Sequence, residues 1–271
     1  MTTAIRAIPE QYATGATRER IKQALLAVGK DPETLTASDL APLEDFHSLG
    51  RLATGALVEL AGIGPEDRVL DAGAGIGGTA RLIAHQIGCR VTAVDITPDY
   101  CTAAEWLTDA VGLGDRIDVR EADVLELPFA ADSFDVIVSQ HVQMNIADKP
   151  RLYAEARRLL TRGGRLAVWD VTAGPVQPLR YPVPWADDPE LSHLVSPQAL
   201  QQIVEDAGFD VKVWNDLTEP SAAAMRRFVD AGPAPLGLHV FVPDFATKAA
   251  NLVANLEQDR ARLVQAVLVA R

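Results

Sequence analysis

The sequence is poor in cysteine, in aromatic residues and in positive charge. Of its 271 residues two are cysteines and 6% are aromatic, and 25 Lys and Arg stand against 37 Asp and Glu, for a formal net charge of −12. Cys89 and Cys101 lack metal-ligand spacing and cannot form a disulfide framework, so we expect two reduced packing residues and no metal site. Because nucleic acids and anionic lipids are bound through clustered Lys and Arg, we expect neither a nucleic-acid nor a membrane partner.

Long hydrophobic runs are also missing. No segment approaches the roughly 18 apolar residues of a membrane helix, and the first residues, MTTAIRAIPE, lack the apolar core of a signal peptide. We therefore expect a cytoplasmic protein. The composition, 48% hydrophobic and 23% charged, is typical of a globular chain, and its length allows one large core with an appendage.

Short β-branched segments alternate with segments of helical spacing. The predicted strands are RVLDA from Arg68, RVTAVD from Arg90, IDVRE from Ile117, FDVIVS from Phe134 and RLAVWD from Arg165. Helical spacing occurs at 76–87, 99–111 and 150–160, the last followed by Gly163 and Gly164, which are predicted to end it and reverse the chain. This alternation predicts a doubly wound α/β fold with a parallel sheet covered on both faces.

Further segments flank these crossover units. The first 50 residues, the leader, contain one amphipathic helix at 17–28 and form either a packing extension or a helical lid over a cofactor. Residues 51–271 form the main domain, in which a Pro- and Trp-rich loop at 174–196 is predicted to cover the active site. A helix from Ser196, a strand from Asp210, a helical insertion at 220–258 and a last strand from Arg262 complete the prediction.

A glycine-rich turn, DAGAGIGG at 71–78, follows the first predicted strand. Gly73, Gly75 and Gly78 have the spacing that allows a tight turn and close backbone approach to a ligand at a helix N-terminus. Asp95 ends the second strand, where a carboxylate can accept hydrogen bonds from both ribose hydroxyls. These features fit any adenosine-containing cofactor, a dinucleotide included.

Two more acidic residues discriminate between cofactors. Asp71 directly precedes the turn, where its negative charge would oppose a pyrophosphate but suits the sulfonium and ammonium groups of S-adenosylmethionine (SAM). Asp123 follows the third strand, where it can accept a hydrogen bond from an adenine amino group while Val124 donates its backbone amide. Since ligands bind beyond the carboxyl ends of such strands, the three acids are expected to converge there.

The segments DAGAGIGG, AVDIT, EADVLELPF, FDVIVSQHV and LTRGGRLAVWD, within residues 68–170, resemble the ordered motifs of class I SAM-dependent methyltransferases. The chain most resembles their small-molecule branch, which includes ubiquinone/menaquinone, sarcosine/dimethylglycine and natural-product sugar methyltransferases. The resemblance implies a Rossmann-like, seven-stranded, mostly parallel sheet whose last strand is antiparallel, SAM as cofactor and S-adenosylhomocysteine as product. The residues that would identify a glycine or sarcosine carboxylate are not found.

The resemblance also implies roles for individual residues. Asp71, Gly73, Gly75 and Gly77 would surround the methionine part of SAM, and Gln140 would approach its ammonium group. Asp95 would hold the ribose, Ile96 would lie against the adenine, and Asp123 with Val124 would recognise the adenine edge. In the leader, Phe46 and His47 match the motif and would close over the cofactor.

The chemistry requires few catalytic groups, because alignment of nucleophile, methyl and sulfur accelerates an in-line transfer. His141, after the fourth strand, is either a general base or a histidine that packs at a helix start. Met144, Tyr181 and Trp185 would form an apolar acceptor wall or belong to the core, and His193 is a weaker candidate for the acceptor site.

The sequence thus predicts methyl transfer from SAM to an oxygen or nitrogen of a small metabolite, with carbon less favoured. The alternatives are a nicotinamide-dependent oxidoreductase, whose fingerprint has the same glycine spacing, and a SAM-binding subunit without catalysis. The expected partner is a small-molecule acceptor, and a homodimer is left open.

Overall fold

A computed structural model describes residues 15–44 and 48–271, and its core is a seven-stranded sheet. The strands are β1 (Arg68–Ala72), β2 (Arg90–Asp95), β3 (Ile117–Glu121), β4 (Phe134–Gln140), β5 (Leu160–Ala173), β6 (Phe209–Asp216) and β7 (Ala261–Ala270). Their order is β3-β2-β1-β4-β5-β7-β6, and β7 runs antiparallel to both of its neighbours. The predicted doubly wound, mostly parallel sheet is confirmed.

Helices cover both faces of the sheet. In the described residues they are α1 (Thr17–Ala27), α2 (Ala37–Leu40), α3 (Gly50–Ala61), α4 (Gly78–Gln86), α5 (Pro98–Ala110), α6 (Lys149–Leu159), α7 (Pro197–Asp206), α8 (Thr218–Ala231) and α9 (Phe245–Glu257). None of these described helices combines the length and the apolar character needed to cross a bilayer. The side chains of Asp148 and Ser196 cap α6 and α7, which fixes where these helices begin.

The buried strands separate two apolar layers of the core. Leu70, Ile137 and Leu166 pack on one face of the sheet, while Val69, Val136 and Ala167 pack on the other. This strict alternation along neighbouring strands follows from the period of two in strand geometry. Both faces are apolar because helices cover both.

Two glycines have a different role from the one predicted. α6 ends at Leu159, and Gly163 and Gly164 lie inside β5, where its register with β4 shifts between Phe134 and Val136. Gly163 is left-handed, with φ 78°, and a Cβ on Gly164 would lie 2.8 Å from the carbonyl oxygen of Thr161. The pair therefore permits an irregular strand start instead of ending the helix.

Helix α1 of the leader packs against α5. Ile21 and Leu25 of α1 are buried in a cluster with Ala103 and Leu107 of α5. The N–H of Thr17 donates to the Asp99 carboxylate at 3.2 Å, which joins the starts of the two helices. The predicted amphipathic helix is present, whereas α3 was not foreseen.

Candidate active site

One cavity of about 370 Å³ opens at the carboxyl ends of the parallel strands. It has a size typical of small-molecule sites. The predicted cofactor residues on its wall are Asp71, Gly73, Gly75, Asp95, Ile96, Asp123, Val124 and Gln140. The predicted chemistry and acceptor residues on the same wall are His141, Met144, Trp185 and His193. The fold thus brings the two predicted sets of side chains into one site.

The glycine turn between β1 and α4 forms one side of the cavity. Gly73, Gly75 and Gly77 all have positive φ, of 80°, 54° and 83°. A Cβ on Gly73 would lie 2.4 Å from Val142 Cγ2, so this glycine allows the turn to touch the segment after β4. A Cβ on Gly75 would meet no heavy atom within 4 Å, so its Cα faces open space that a ligand can occupy.

Asp95 fastens this turn to the end of β2. Its carboxylate accepts the N–H of Gly75 at 2.8 Å and the N–H of Thr97 at 2.9 Å, one at each oxygen. Burial raises the pKa of Asp95, and these backbone hydrogen bonds oppose that shift. Because each carboxylate oxygen can accept a second hydrogen bond, Asp95 retains the capacity to bind two hydroxyl groups.

Asp123 lies in the turn that follows β3. Its Oδ1 accepts the N–H of Leu125 at 2.9 Å. Val124, between these two residues, lines the cavity. Val124 and Leu125 also line the cavity beside Ile96. This corner combines a carboxylate, a backbone amide and apolar surface, as recognition of a purine edge requires.

Gln140 ends β4 inside a buried hydrogen-bond chain. Its Oε1 accepts the hydroxyl of Thr79 at 2.9 Å, and its Nε2 donates to the hydroxyl of Thr54 at 3.4 Å. The chain links α4, β4 and α3 directly behind the glycine turn. The Gln140 side chain is therefore held in place by its neighbours.

His141 directly follows β4 and lines the cavity. It has a left-handed backbone, with φ 53°, and its N–H donates to the carbonyl of Trp169 at 2.9 Å. Its Nε2 lies 3.3 Å from the hydroxyl of Ser48, the first described residue after the leader gap. A non-glycine residue in this conformation is uncommon and requires support from its surroundings.

Asp170, in the last part of β5, supplies that support. Its Oδ2 accepts the N–H groups of Val142 at 2.9 Å and Gln143 at 3.0 Å, and its Oδ1 accepts that of Val171 at 2.8 Å. Burial raises the pKa of this carboxyl to about 6, although the amides and the Lys149 charge act in the opposite direction. The segment after His141 is thus fixed to β5 through a buried acid.

Side chains from 145–149 fasten the loop 174–196 to the cavity. Asn145 Nδ2 donates to the carbonyl of Trp185 at 2.8 Å. Lys149 Nζ donates to the carbonyls of Ile146, at 2.8 Å, and of His193. Burial lowers the pKa of Lys149 to about 8, and burial with the Lys149 charge lowers the pKa of His193.

α9 holds the loop from its other side. Asn255 donates to the carbonyl of Arg180 and accepts its N–H, at 2.9 and 2.8 Å. Asn251 Nδ2 donates to the carbonyl of Pro182 at 2.9 Å. The wall residue Trp185 is completely buried, and its Nε1 donates to the Ser192 hydroxyl at 2.9 Å.

Some predicted residues lie off the cavity wall. Gly77 donates its N–H to the carbonyl of Ala74 at 2.8 Å and belongs to the turn itself. Tyr181 packs against the apolar cluster that contains Met144 and Trp185. Phe46 and His47 lie outside the described residues, so their closure over the cofactor stays a prediction.

Sequence reasoning missed several residues of the site. Tyr100 and Phe241 contribute aromatic surface to the wall, and Asp170 and Lys149 support it from behind. Asp170 had a recognisable signal, because it ends the predicted strand RLAVWD as Asp95 ends RVTAVD. Phe241 had none, because it reaches the cavity from an insertion far away in sequence.

The site fits SAM better than a dinucleotide. Asp71 is 3% exposed and lines the cavity at the glycine turn, where a pyrophosphate would have to lie. A buried carboxylate there opposes a second anion, whereas a sulfonium or ammonium group is attracted to it. The open space at Gly75, with Asp95 and Asp123 beyond it, accommodates the remaining parts of a nucleoside.

Comparisons with known proteins agree with this geometry. A family model described as "Methyltransferase domain" matches residues 70–168. Sarcosine/dimethylglycine N-methyltransferase of Halorhodospira halochloris is 29% identical over 213 residues, which cover 78% of this chain and 73% of that protein. Phosphoethanolamine N-methyltransferase 3 of Arabidopsis thaliana is 28% identical over 69% of this chain, which spans only 38% of that relative's length.

Solved structures share the whole fold. Geranyl diphosphate C-methyltransferase from Streptomyces coelicolor, in complex with Mg²⁺, geranyl-S-thiolodiphosphate and S-adenosylhomocysteine, superimposes with a TM-score of 0.74. The match covers 100% of this chain and 99% of that one at 18% sequence identity. At this identity the similarity establishes the fold and leaves the acceptor open.

Proposed function

We propose that this class I SAM-dependent methyltransferase, with SAM as its cofactor, methylates an oxygen or nitrogen of a small, partly apolar metabolite that is neutral or cationic. Carbon is the less favoured target. One observation carries the proposal: His141 lines the same cavity as Met144, Trp185 and the glycine turn. An acceptor in that space would lie between a proton acceptor and the cofactor site.

The chain's own residues would bind and orient the reactants. Bound SAM supplies a methyl group that its sulfonium already activates. Gly75 and Asp95 would hold its amino-acid and ribose parts, and Asp123 its adenine. Met144 and Trp185 would exclude water and align the acceptor with the methyl group, which is the main source of acceleration in an in-line transfer.

His141 would act as the general base. For a hydroxyl acceptor, a ring nitrogen of His141 would take the hydroxyl proton as the oxygen accepts the methyl group that SAM supplies, and the products would be S-adenosylhomocysteine, the methylated acceptor and a protonated imidazole. A neutral amine attacks without prior proton loss and releases its proton afterwards. Substitution of His141 should therefore affect a hydroxyl acceptor much more than an amine.

The charges around the cavity favour a neutral or cationic acceptor. Arg151 lines the wall, but its guanidinium donates to the carbonyl of Leu125 at 3.1 Å and to the Glu126 carboxylate at 2.8 Å. Lys149 uses its ammonium on backbone carbonyls. Two of the relatives are N-methyltransferases by name, which supports nitrogen as one target.

The test is to incubate the protein with SAM carrying an isotopically labelled methyl group and with metabolite extracts separated into neutral, cationic and anionic fractions. Mass spectrometry should find the label in a neutral or cationic product. Label confined to anionic products would contradict the proposed acceptor class, and label in no product would contradict the proposed activity. With the acceptor in hand, His141→Asn should be compared with His85→Asn, a control on the exposed side of α4.

A further inference from the structure

We infer that Glu44 and Arg81 form a buried ion pair that positions the glycine turn and thereby sets the affinity for SAM. Both are positioning residues, because neither is among the residues that line the described cavity. The inference rests on the cofactor site and is independent of the acceptor.

The pair is fully buried and close. Arg81 Nε lies 2.7 Å from Glu44 Oε1, and the two side chains are 1% and 2% exposed. Arg81 Nη1 also donates to the hydroxyl of Thr108 at 3.4 Å. If the two side chains separated, each would be left as an uncompensated buried charge, which is strongly unfavourable. Each side chain therefore fixes the position of the other.

The guanidinium lies directly against the glycine turn. Arg81 belongs to the first turns of α4, and a Cβ on Gly77 would lie 2.8 Å from its Nη1. Gly77 donates its N–H to Ala74, so it is part of the same tight turn as Gly75. The Arg81 head group therefore fills the space beside Gly77, and its loss would remove support from the turn that lines the cavity.

The carboxylate comes from the leader. The other oxygen of Glu44 lies 3.2 Å from Arg51 Nη1 in α3. Leu40 and Leu43, just before Glu44, pack in one cluster with Ile76 and Tyr100, which line the cavity. The ion pair thus joins the segment 40–44 to the glycine turn. The same segment packs against Ile76 and Tyr100 of the cavity wall.

A purely structural pair would change stability and leave cofactor affinity alone. The dissociation constants for SAM and S-adenosylhomocysteine should be measured by titration calorimetry on the full chain, at a temperature where thermal denaturation shows each variant folded. We expect at least a tenfold weaker SAM affinity for Glu44→Gln. Asp135→Asn, which breaks the more exposed pair with Arg68 at the start of β1, serves as the control and should bind SAM like the wild type.

The double variant Glu44→Leu with Arg81→Met removes both charges at once, and apolar replacement of a buried ion pair often preserves folding. We expect it to regain thermal stability while its SAM affinity stays at least tenfold reduced. SAM binding within twofold of the wild type in either Glu44→Gln or the double variant would overturn the inference. If Glu44→Gln does not fold, the double variant alone decides.

Discussion

The cavity has two proposed halves: a cofactor half, formed by the glycine turn, Asp95 and Asp123, and an acceptor half, formed by His141, Met144 and Trp185. They are built in different ways. In the cofactor half, the Asp95 carboxylate at the end of β2 accepts the N–H of Gly75 in the turn after β1, 20 residues away. In the acceptor half, side chains reach across the fold: Asn145 binds the carbonyl of Trp185, 40 residues away, and Asn255 binds Arg180, 75 residues away. The glycine turn is thus tied to the end of the neighbouring strand, whereas the loop of the acceptor half is held by side chains from distant segments.

This difference would allow the acceptor half to change while the cofactor half is kept. Strand ends in a parallel sheet converge by construction, so the cofactor half is fixed once the sheet forms. The acceptor wall is a loop held by two separate supports, the 145–149 segment and α9, and each can change without disturbing the sheet. Damage to one half should therefore leave the other nearly intact.

Trp185→Ala should give the largest effect. The side chain is fully buried, and its removal is expected to lower the free energy of unfolding by about 3 to 5 kcal/mol. Urea unfolding measures this loss, and SAM affinity of the folded variant should stay within about threefold of the wild type, a negligible free-energy change. Trp106→Ala, a half-buried control beside Arg18, should cost less. A parallel loss of SAM affinity in Trp185→Ala would show that the two halves are not separate.

Asp170 should make stability depend on pH. Its native pKa, raised to about 6 by burial, exceeds the unfolded value near 3.9, so the native state binds the proton more tightly. The contribution of Asp170 to the free energy of unfolding therefore falls by up to about 3 kcal/mol as pH rises from about 4 to 6. It changes little at higher pH.

Urea unfolding of wild type and Asp170→Asn between pH 4.5 and 7 measures this slope as a changing difference between the two proteins. Asp135→Asn is the control, because Arg68 lowers the pKa of Asp135 to about 2, so that difference should be flat in the same range. A flat difference for Asp170→Asn as well would refute the raised pKa.

Asp95→Ala should weaken SAM binding by about 100-fold, because both the ribose hydroxyl acceptor and the bond that fixes Gly75 are lost. Calorimetric titration with SAM measures the change. Asp118→Ala, which removes an exposed carboxylate from neighbouring β3, should have no effect. Retained affinity in Asp95→Ala would remove the ribose role proposed for this residue.

Asn255→Ala should act on the acceptor half alone. It leaves the N–H and the carbonyl of Arg180 without their partner, which is expected to cost about 2 kcal/mol of stability. The KM for the acceptor should rise while the SAM dissociation constant is unchanged. Asn251→Ala removes a single bond, to Pro182, and should have roughly half the effect. Equal effects of the two substitutions would argue against the paired bond as the cause.

The parts of the fold that the sequence predicted are those with a local cause. β1, β2 and β3 begin and end at the predicted residues, because each is a short segment with β-branched residues, bounded by turn residues. The sequence analysis does not predict α3, although GRLATGALVELA has helical spacing, because this segment spans the predicted boundary after residue 50 between the leader and the main domain. Gly163 was assigned to a helix end because the register shift in β5 leaves no local signature.

The sequence by itself determined the sheet, the glycine turn and the acids at the strand ends, since these follow from residue spacing and from the geometry of parallel strands. Only the tertiary structure decided that Asp170 holds the His141 segment, that Lys149 and Asn145 fasten the loop of Trp185, and that Glu44 pairs with Arg81 beneath the turn. The physical reason is that these bonds join residues far apart in sequence. Their partners become neighbours only when the chain has folded.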